Sequence, residues 1–302
     1  MPVARNTVTL IQTITTDDLV IQVADRRLSS AVSGEPIEDE LTKLVCWNMT
    51  FSIGFTGLAR IDRAQKKSTS EWIAETVCDY PTFETGVQAL GYHARERISK
   101  LPSTWPDRRL AIVLAGFGAD GEQLAAEISN FRVGGPMHTD PTDFKAWKLF
   151  RAQGQKSSFH VAGAGLTDKW QRQVLRSLVP RVLRQPDGLS RAVKLMVALQ
   201  RSVAKTNQGV GTNAMAVTIP RATTGDMIMS HVEGNLLDTG TGQFSYFDTD
   251  GFAYRQLGPH IARGGMAMAN CLAEADPNKP DNMAVSCRTL KWPMPPPAPA
   301  SA

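Results

Sequence analysis

Two short, mostly apolar runs at the start of the chain are strand-like. They are TVTLIQTI (7–14) and DLVIQVA (18–24), and both are rich in β-branched residues. With the polar joint Thr15-Thr16-Asp17-Asp18 between them, they predict a β-hairpin. The stretch SGEPIEDE (33–40) is acidic and holds Gly34 and Pro36, which predicts no regular element. TKLVCWN (42–48) and TFSIGFTG (50–57) predict two more short strands around Asn48-Met49. So many strands so early make a sheet whose edges need cover.

The period then changes. Trp72, Ile73, Thr76, Val77 and Tyr80 recur at three and four residues, as do Val87, Leu90, Ala94, Ile98 and Leu101, which predicts two amphipathic helices separated near Pro81. Strands resume with RLAIVLAGFG (109–118) and QLAAEISNF (123–131). A poorly patterned stretch containing Gly134, Gly135, Pro136 and Pro141 leads to a further strand, SSFHVAGAG (157–165). Two helices follow. LTDKWQRQVLRSLVPRVLRQ (166–185) contains Pro180, a kink or split point, and LSRAVKLMVALQRSVAKT (189–206) is the second. AMAVTIPRA (214–222) and DMIMSHV (226–232) return to strand. The order sheet, helix pair, sheet, helix pair is not the alternation of a doubly wound fold. It predicts an α+β domain, a four-layer αββα sandwich with two antiparallel sheets between helix pairs. That domain spans 9–230, after a candidate leader at 1–8. Residues 231–290, glycine-rich and weakly patterned, form an extension packed on the core or at an interface, and 291–302 a disordered Pro/Ala-rich tail.

Composition narrows the class. At 302 residues, 42% apolar and 21% charged, the chain is long enough for a substantial core. The net charge of +4 is small and the signs are mixed; the tightest basic cluster, RIDRAQKK (60–67), is expected to be a solvated helix start. No nucleic-acid partner is implied. The four cysteines, Cys46, Cys78, Cys271 and Cys287, show no CxxC pair and are expected as buried free thiols. No apolar run matches a membrane span, and MPVARNTVTL lacks a signal-peptide core, so no membrane partner is implied and the cytoplasm is the expected location.

The acid that ends the second strand, in VIQVADRRLSS (20–30), raises the question of chemistry. DLVIQVADRRLSS, then TKL, then FSIGFTGLARID resemble the opening of proteasome β-type subunits and their bacterial relatives, the N-terminal-nucleophile (Ntn) hydrolases. The resemblance covers roughly residues 7–220 and implies the αββα fold. It implies a nucleophilic threonine opening the first strand, an acid ending the second, a lysine on the next and a glycine some fourteen residues on. Asp25, Lys43 and Gly57 match the last three, and counting back from Asp25 matches Thr9 to the nucleophile; an insertion in the hairpin would make it Thr7. On that pattern Thr9 attacks an amide carbonyl with its own α-amine as base. Lys43 favours alkoxide character, Asp25 holds Lys43, and the Gly57 N–H stabilises the oxyanion, an interaction worth roughly 3 kcal/mol. The alternative is a structural Asp25–Lys43 pair, with Gly57 serving backbone geometry.

Three departures weigh on activity. Val8 precedes Thr9 where active members carry glycine, and its β-branch crowds self-cleavage; Asn6 before Thr7 is little better. Ala164 in GAG occupies the place of a serine. An aspartate expected near the last core helix is replaced within KTNQGVG, where Thr206 and Asn207 carry no charge. GAGLTDK lacks Walker A spacing, DTGTG (238–242) reads as a turn, DTDG (248–251) is too short for an EF-hand loop, and His160 reads as a core or interface histidine. No metal or organic cofactor is implied. The expectations are a threonine-type peptidase or amidohydrolase acting on a peptide or small amide, or a catalytically silent relative with a structural or assembly role. An unrelated two-layer αβ binding protein is a third. The resemblance implies a homo-oligomer in the first two cases and leaves any ATPase partner unknown.

Overall fold

A computed structural model describes residues 9–30, 32–61, 64, 67–105, 107–131, 140–149, 156–164, 166, 168–221, 229–232, 255–257, 259–269, 271–276, 279–286 and 288–292. The candidate leader with Thr7 and Val8, DTGTG, DTDG, Cys287 and the tail from 293 lie outside the described residues.

The opening hairpin forms as its β-branched runs and polar joint predict: β1 (Leu10–Thr16) pairs antiparallel with β2 (Leu19–Asp25). The acidic stretch after it is not irregular throughout, since β3 (Leu28–Ser29) and β4 (Pro36–Glu38) close a small two-stranded hairpin over Gly34. β5 (Leu44–Trp47) and β6 (Phe51–Gly57) turn at Asn48 and Met49, both at positive φ. Lys43 stands one residue before β5 rather than within a strand.

RIDRAQKK precedes α1 (Thr69–Val77) rather than opening it. That helix starts at a capping box, in which Ser68 accepts from Glu71 N and Glu71 accepts from Ser68 N. α2 (Phe83–Ser99), capped by Thr82, follows. β7 (Leu110–Phe117) and β8 (Gln123–Ser129) form where the sequence places them, and β9 (Lys145–Lys148) adds an edge in the poorly patterned stretch. β10 (Ser157–Gly163) leads to a broken helix: α3 (Lys169–Gln173), a π turn (Val174–Leu178) and α4 (Val179–Val182). Val179 N bonds Val174 O at the break, one residue before Pro180, whose missing N–H forbids a regular ladder there. α5 (Gly188–Ala204) and β11 (Ala214–Pro220) complete the expected elements, followed by β12 (Met229–Val232).

The C-terminal segment holds more strand than its weak pattern suggested: β13 (Arg255–Leu257), β14 (His260–Arg263), β15 (Met266–Met268), β16 (Cys271–Asp276), β17 (Lys279–Ser286) and β18 (Thr289–Lys291). Lys291, first residue of the expected tail, closes the last of them. Three of these strands extend the larger sheet, ordered β18-β15-β14-β5-β6-β7-β8-β9, and β14 runs parallel to β5. The five-stranded sheet is ordered β10-β1-β2-β11-β12.

The expected fold is therefore corrected. This is not a four-layer αββα sandwich of two antiparallel sheets between helix pairs, because among the described residues strand outweighs helix, the eight-stranded sheet is mixed, and two further sheets exist. The physical cause is the C-terminal segment, whose short strands satisfy the β5 edge that a closed pair of antiparallel sheets would leave bare.

What positions the site is the apolar layer between the two large sheets. Ile11, Val20, Ala24 and Met215 from the five-stranded sheet meet Leu44, Cys46 and Val113 from the eight-stranded one. This contact brings the end of β2 against the start of β5, and so Asp25 against Lys43. α1 and α2 pack with β5–β8, while α5 packs with β1, β2 and β11. Among the described residues no helix is long and apolar enough to cross a membrane.

Candidate active site

Of the four residues singled out in the sequence, Thr9, Lys43 and Gly57 line one cleft, and Asp25 is buried against Lys43. Thr9 sits immediately before β1, Asp25 ends β2, Lys43 precedes β5 and Gly57 ends β6. Lys43 Nζ donates to Thr9 Oγ1 at 2.6 Å, to Asp25 Oδ2 at 3.1 Å and to the Arg27 carbonyl at 2.5 Å. An ammonium carries three N–H donors, and here each has an acceptor. Asp25 and Lys43 are 0% and 2% exposed, which makes their pair a buried one whose partners are both needed. Burial pushes the Lys43 ammonium below its ordinary value, with the Asp25 charge opposing the shift.

Asp25 has more partners than the lysine. Its Oδ1 accepts from Leu10 N at 2.8 Å, and its Oδ2 accepts from Arg27 N and Gly211 N, both at 3.1 Å. A carboxylate with four donors is stable in a dry site, and it ties the start of β1, the turn after β2 and the approach to β11 to one point. The Arg27 side chain stays outside this cluster, held by Asp39 at 2.7 Å and 3.0 Å.

The Thr9 backbone is fixed as firmly as its hydroxyl. Its carbonyl accepts from Ala164 N at 2.9 Å and from Thr56 Oγ1 at 3.2 Å. Gly163 makes this possible: its φ is +86°, and a Cβ there would lie 1.9 Å from Thr9 O. Gly57 is likewise confined, at φ +96° with a would-be Cβ 2.1 Å from the Arg109 carbonyl. Sequence reasoning missed Gly163, Thr56 and Gly211. The glycines alone carried a signal, Gly163 at the end of β10 and Gly211 in the loop before β11, and nothing in the pattern said which partner would approach them. Two departures take concrete form. Ala164 brings a backbone donor but no hydroxyl, and Thr206 and Asn207 turn inward on their own helix end, bonding Val203 O and Gly209 N.

Neither a family model nor a curated protein matches this chain. What the site can do must be argued from its own atoms. The cleft measures about 580 Å³ and is lined at its base by Thr9, Lys43 and Gly57, with Leu28, Phe55, Leu58 and Trp105 as apolar wall. Val32 and Ile37, 84% and 64% exposed, project from the β3–β4 hairpin at its rim, and Arg60 and Asp107 supply charge there. A hydroxyl polarised by a buried ammonium at the floor of a half-apolar cleft is arranged for nucleophilic attack.

Proposed function

We propose that the chain is a threonine hydrolase of N-terminal-nucleophile type that cleaves an amide or peptide bond, as the proteasome-like resemblance implies. One observation carries this: the Lys43 ammonium donates to Thr9 Oγ1 at 2.6 Å at the floor of an open cleft. Its three N–H groups are all engaged, so the ammonium lowers the cost of an alkoxide without itself accepting the hydroxyl proton. The base is the α-amine of Thr9, which exists once the bond after Val8 is cut, and whose ordinary pKa near 8 leaves part of it neutral at pH 7. Thr9 Oγ1 then attacks the substrate carbonyl, the amine takes the hydroxyl proton and passes it to the leaving nitrogen, and water releases the acyl group. Gly57 is the donor assigned to the oxyanion. Buried, free Cys46 and Cys78 support the cytoplasm as the compartment.

Intact mass after expression is the first test. Loss of residues 1–8 is expected, together with hydrolysis of a fluorogenic peptide amide, and Thr9→Ala is expected to abolish both. A second possibility is a silent relative. It is favoured by Ala164, which brings no hydroxyl to the Thr9 carbonyl. An uncut wild-type chain without amidase activity would establish it and overturn the hydrolase.

A further inference from the structure

We propose that the outward face of α5 and of the broken helix beside it binds the phosphate backbone of a nucleic acid. Residues 168–205 hold nine of the chain's 33 lysines and arginines but two of its 29 acids, Asp168 and Asp187. No local run betrays this, because the cations are spaced by three to seven residues. The helices sort them. On α5, Arg191, Lys194, Arg201 and Lys205 fall within about 80° of one another at 100° per residue, with only Ala198 between them on that stripe. All five are exposed. The buried positions, including Ala192, Met196, Leu199 and Val203, lie on the opposite side. Along α3 and the π turn, Lys169, Arg172 and Arg176 repeat the pattern at spacings of three and four, all exposed, and the π turn packs against α5.

Most of these cations have no acidic partner close by among the described residues. Elsewhere the surface pairs its signs, as in Arg27–Asp39, Lys67–Glu75, Lys100–Glu96 and Arg109–Asp107. Among the described residues no carboxylate pairs with the α3 stripe or with Arg191, Lys194 or Lys205. Arg172 and Arg191 instead donate to the neutral acceptors Leu166 O and Gln185 Oε1, which orient a guanidinium without cancelling it.

Phosphate is the anion this face fits. Six of the nine cations are arginines, whose planar fork matches phosphate oxygens. The α5 stripe runs about 21 Å, the length of roughly six nucleotides at 3.4 Å each. A bilayer would call for a broad apolar helix side facing outward, and most apolar positions of these helices are spent in the core, although Trp170 and Leu178 are exposed. This departs from the expectation of no nucleic-acid partner, which weighed the net charge and the cations adjacent in sequence. It is independent of the Thr9 site.

The test is fluorescence anisotropy of the full chain with a labelled DNA duplex of about 25 base pairs, from about 50 to 200 mM salt. Binding is expected with a log–log salt slope of about −4 to −5, the signature of roughly five released phosphate counterions. Arg191→Gln, Lys194→Gln, Arg201→Gln and Lys205→Gln together are expected to weaken binding at low salt at least about tenfold and flatten the slope by about 3. Arg191→Lys with Arg201→Lys keeps the charge and is expected to keep binding. Absence of binding at low salt, or binding that survives the fourfold change, overturns the proposal. So does binding to phosphatidylserine vesicles without DNA binding, or charge-matched polyglutamate binding as tightly, which would assign the face to a membrane or an acidic protein.

Discussion

Replacing Asp25 by asparagine changes one atom, and the hydrogen bonds around it set the consequence. In one orientation the new amide nitrogen takes the place of Oδ2 and faces three donors, Arg27 N, Gly211 N and Lys43 Nζ. In the other it faces Leu10 N alone, while the amide oxygen serves the remaining three. The flipped form is therefore adopted. It still orphans one buried N–H, at about 1–3 kcal/mol, and removes the counter-charge of a buried ammonium. Breaking such a pair costs about 3–5 kcal/mol, and the total is expected at about 4 kcal/mol, the low end of a plain sum, because Lys43 can shed its proton. Lys43→Met should cost less, about 1–2 kcal/mol. Asp25 then keeps three backbone donors, and an ammonium that burial already disfavours is gone. Urea unfolding of both variants, with slopes compared to exclude a change in the unfolded state, measures the difference. If Asp25→Asn unfolds at the same midpoint as wild type, or if Lys43→Met is the more damaging, the carboxylate is not the hub described here.

Three further outcomes are expected. Gly163→Ala puts a methyl 1.9 Å from the Thr9 carbonyl at a φ of +86°, so it should lose at least about 2 kcal/mol in thermal or urea unfolding and displace Thr9; full activity with wild-type stability would disprove the close approach. His260 is pushed down to about 4 by burial, against the pull of Glu71, and Arg288 lowers it further. The folded state thus holds fewer protons than the unfolded one between about pH 4 and 6.5, and stability worth about 3 kcal/mol, present above pH 6.5, should drain away as pH falls through that window; in His260→Gln this part of the pH dependence should vanish. Burial holds the Cys46 thiol up at about 12 and Cys78 at about 11, so neither should react appreciably with iodoacetamide at pH 8 in the native protein, and peptide mass mapping would expose an error.

Legibility followed the range of the interactions. The β1–β2 hairpin, α1 and α2 were readable because β-branched runs, a three-to-four period and the turn at Pro81 are local signals. Asp25 stood out because a charge closing an apolar strand is anomalous within a short window, and Lys43 was reached only through the resemblance. Gly163 and Gly211 did not stand out, since their roles depend on Thr9 O and Asp25 Oδ2 arriving from far along the chain. The fold class failed for a similar reason. β14 is four residues long and gains its order by lying parallel to β5, more than two hundred residues away, and no periodicity records such a partner.

The reach of the Asp25 carboxylate also sets a clock. Its ligands come from residue 10 at one extreme and residue 211 at the other. A nascent chain halted at the end of α5 has made Thr9 and Lys43 but lacks the Gly211 N–H and β11, which flanks β2 and completes the floor beneath them. The threonine hydroxyl thus waits in an unfinished pocket until about two-thirds of the polypeptide has been synthesised, and any chemistry at that oxygen is deferred until the protein has folded.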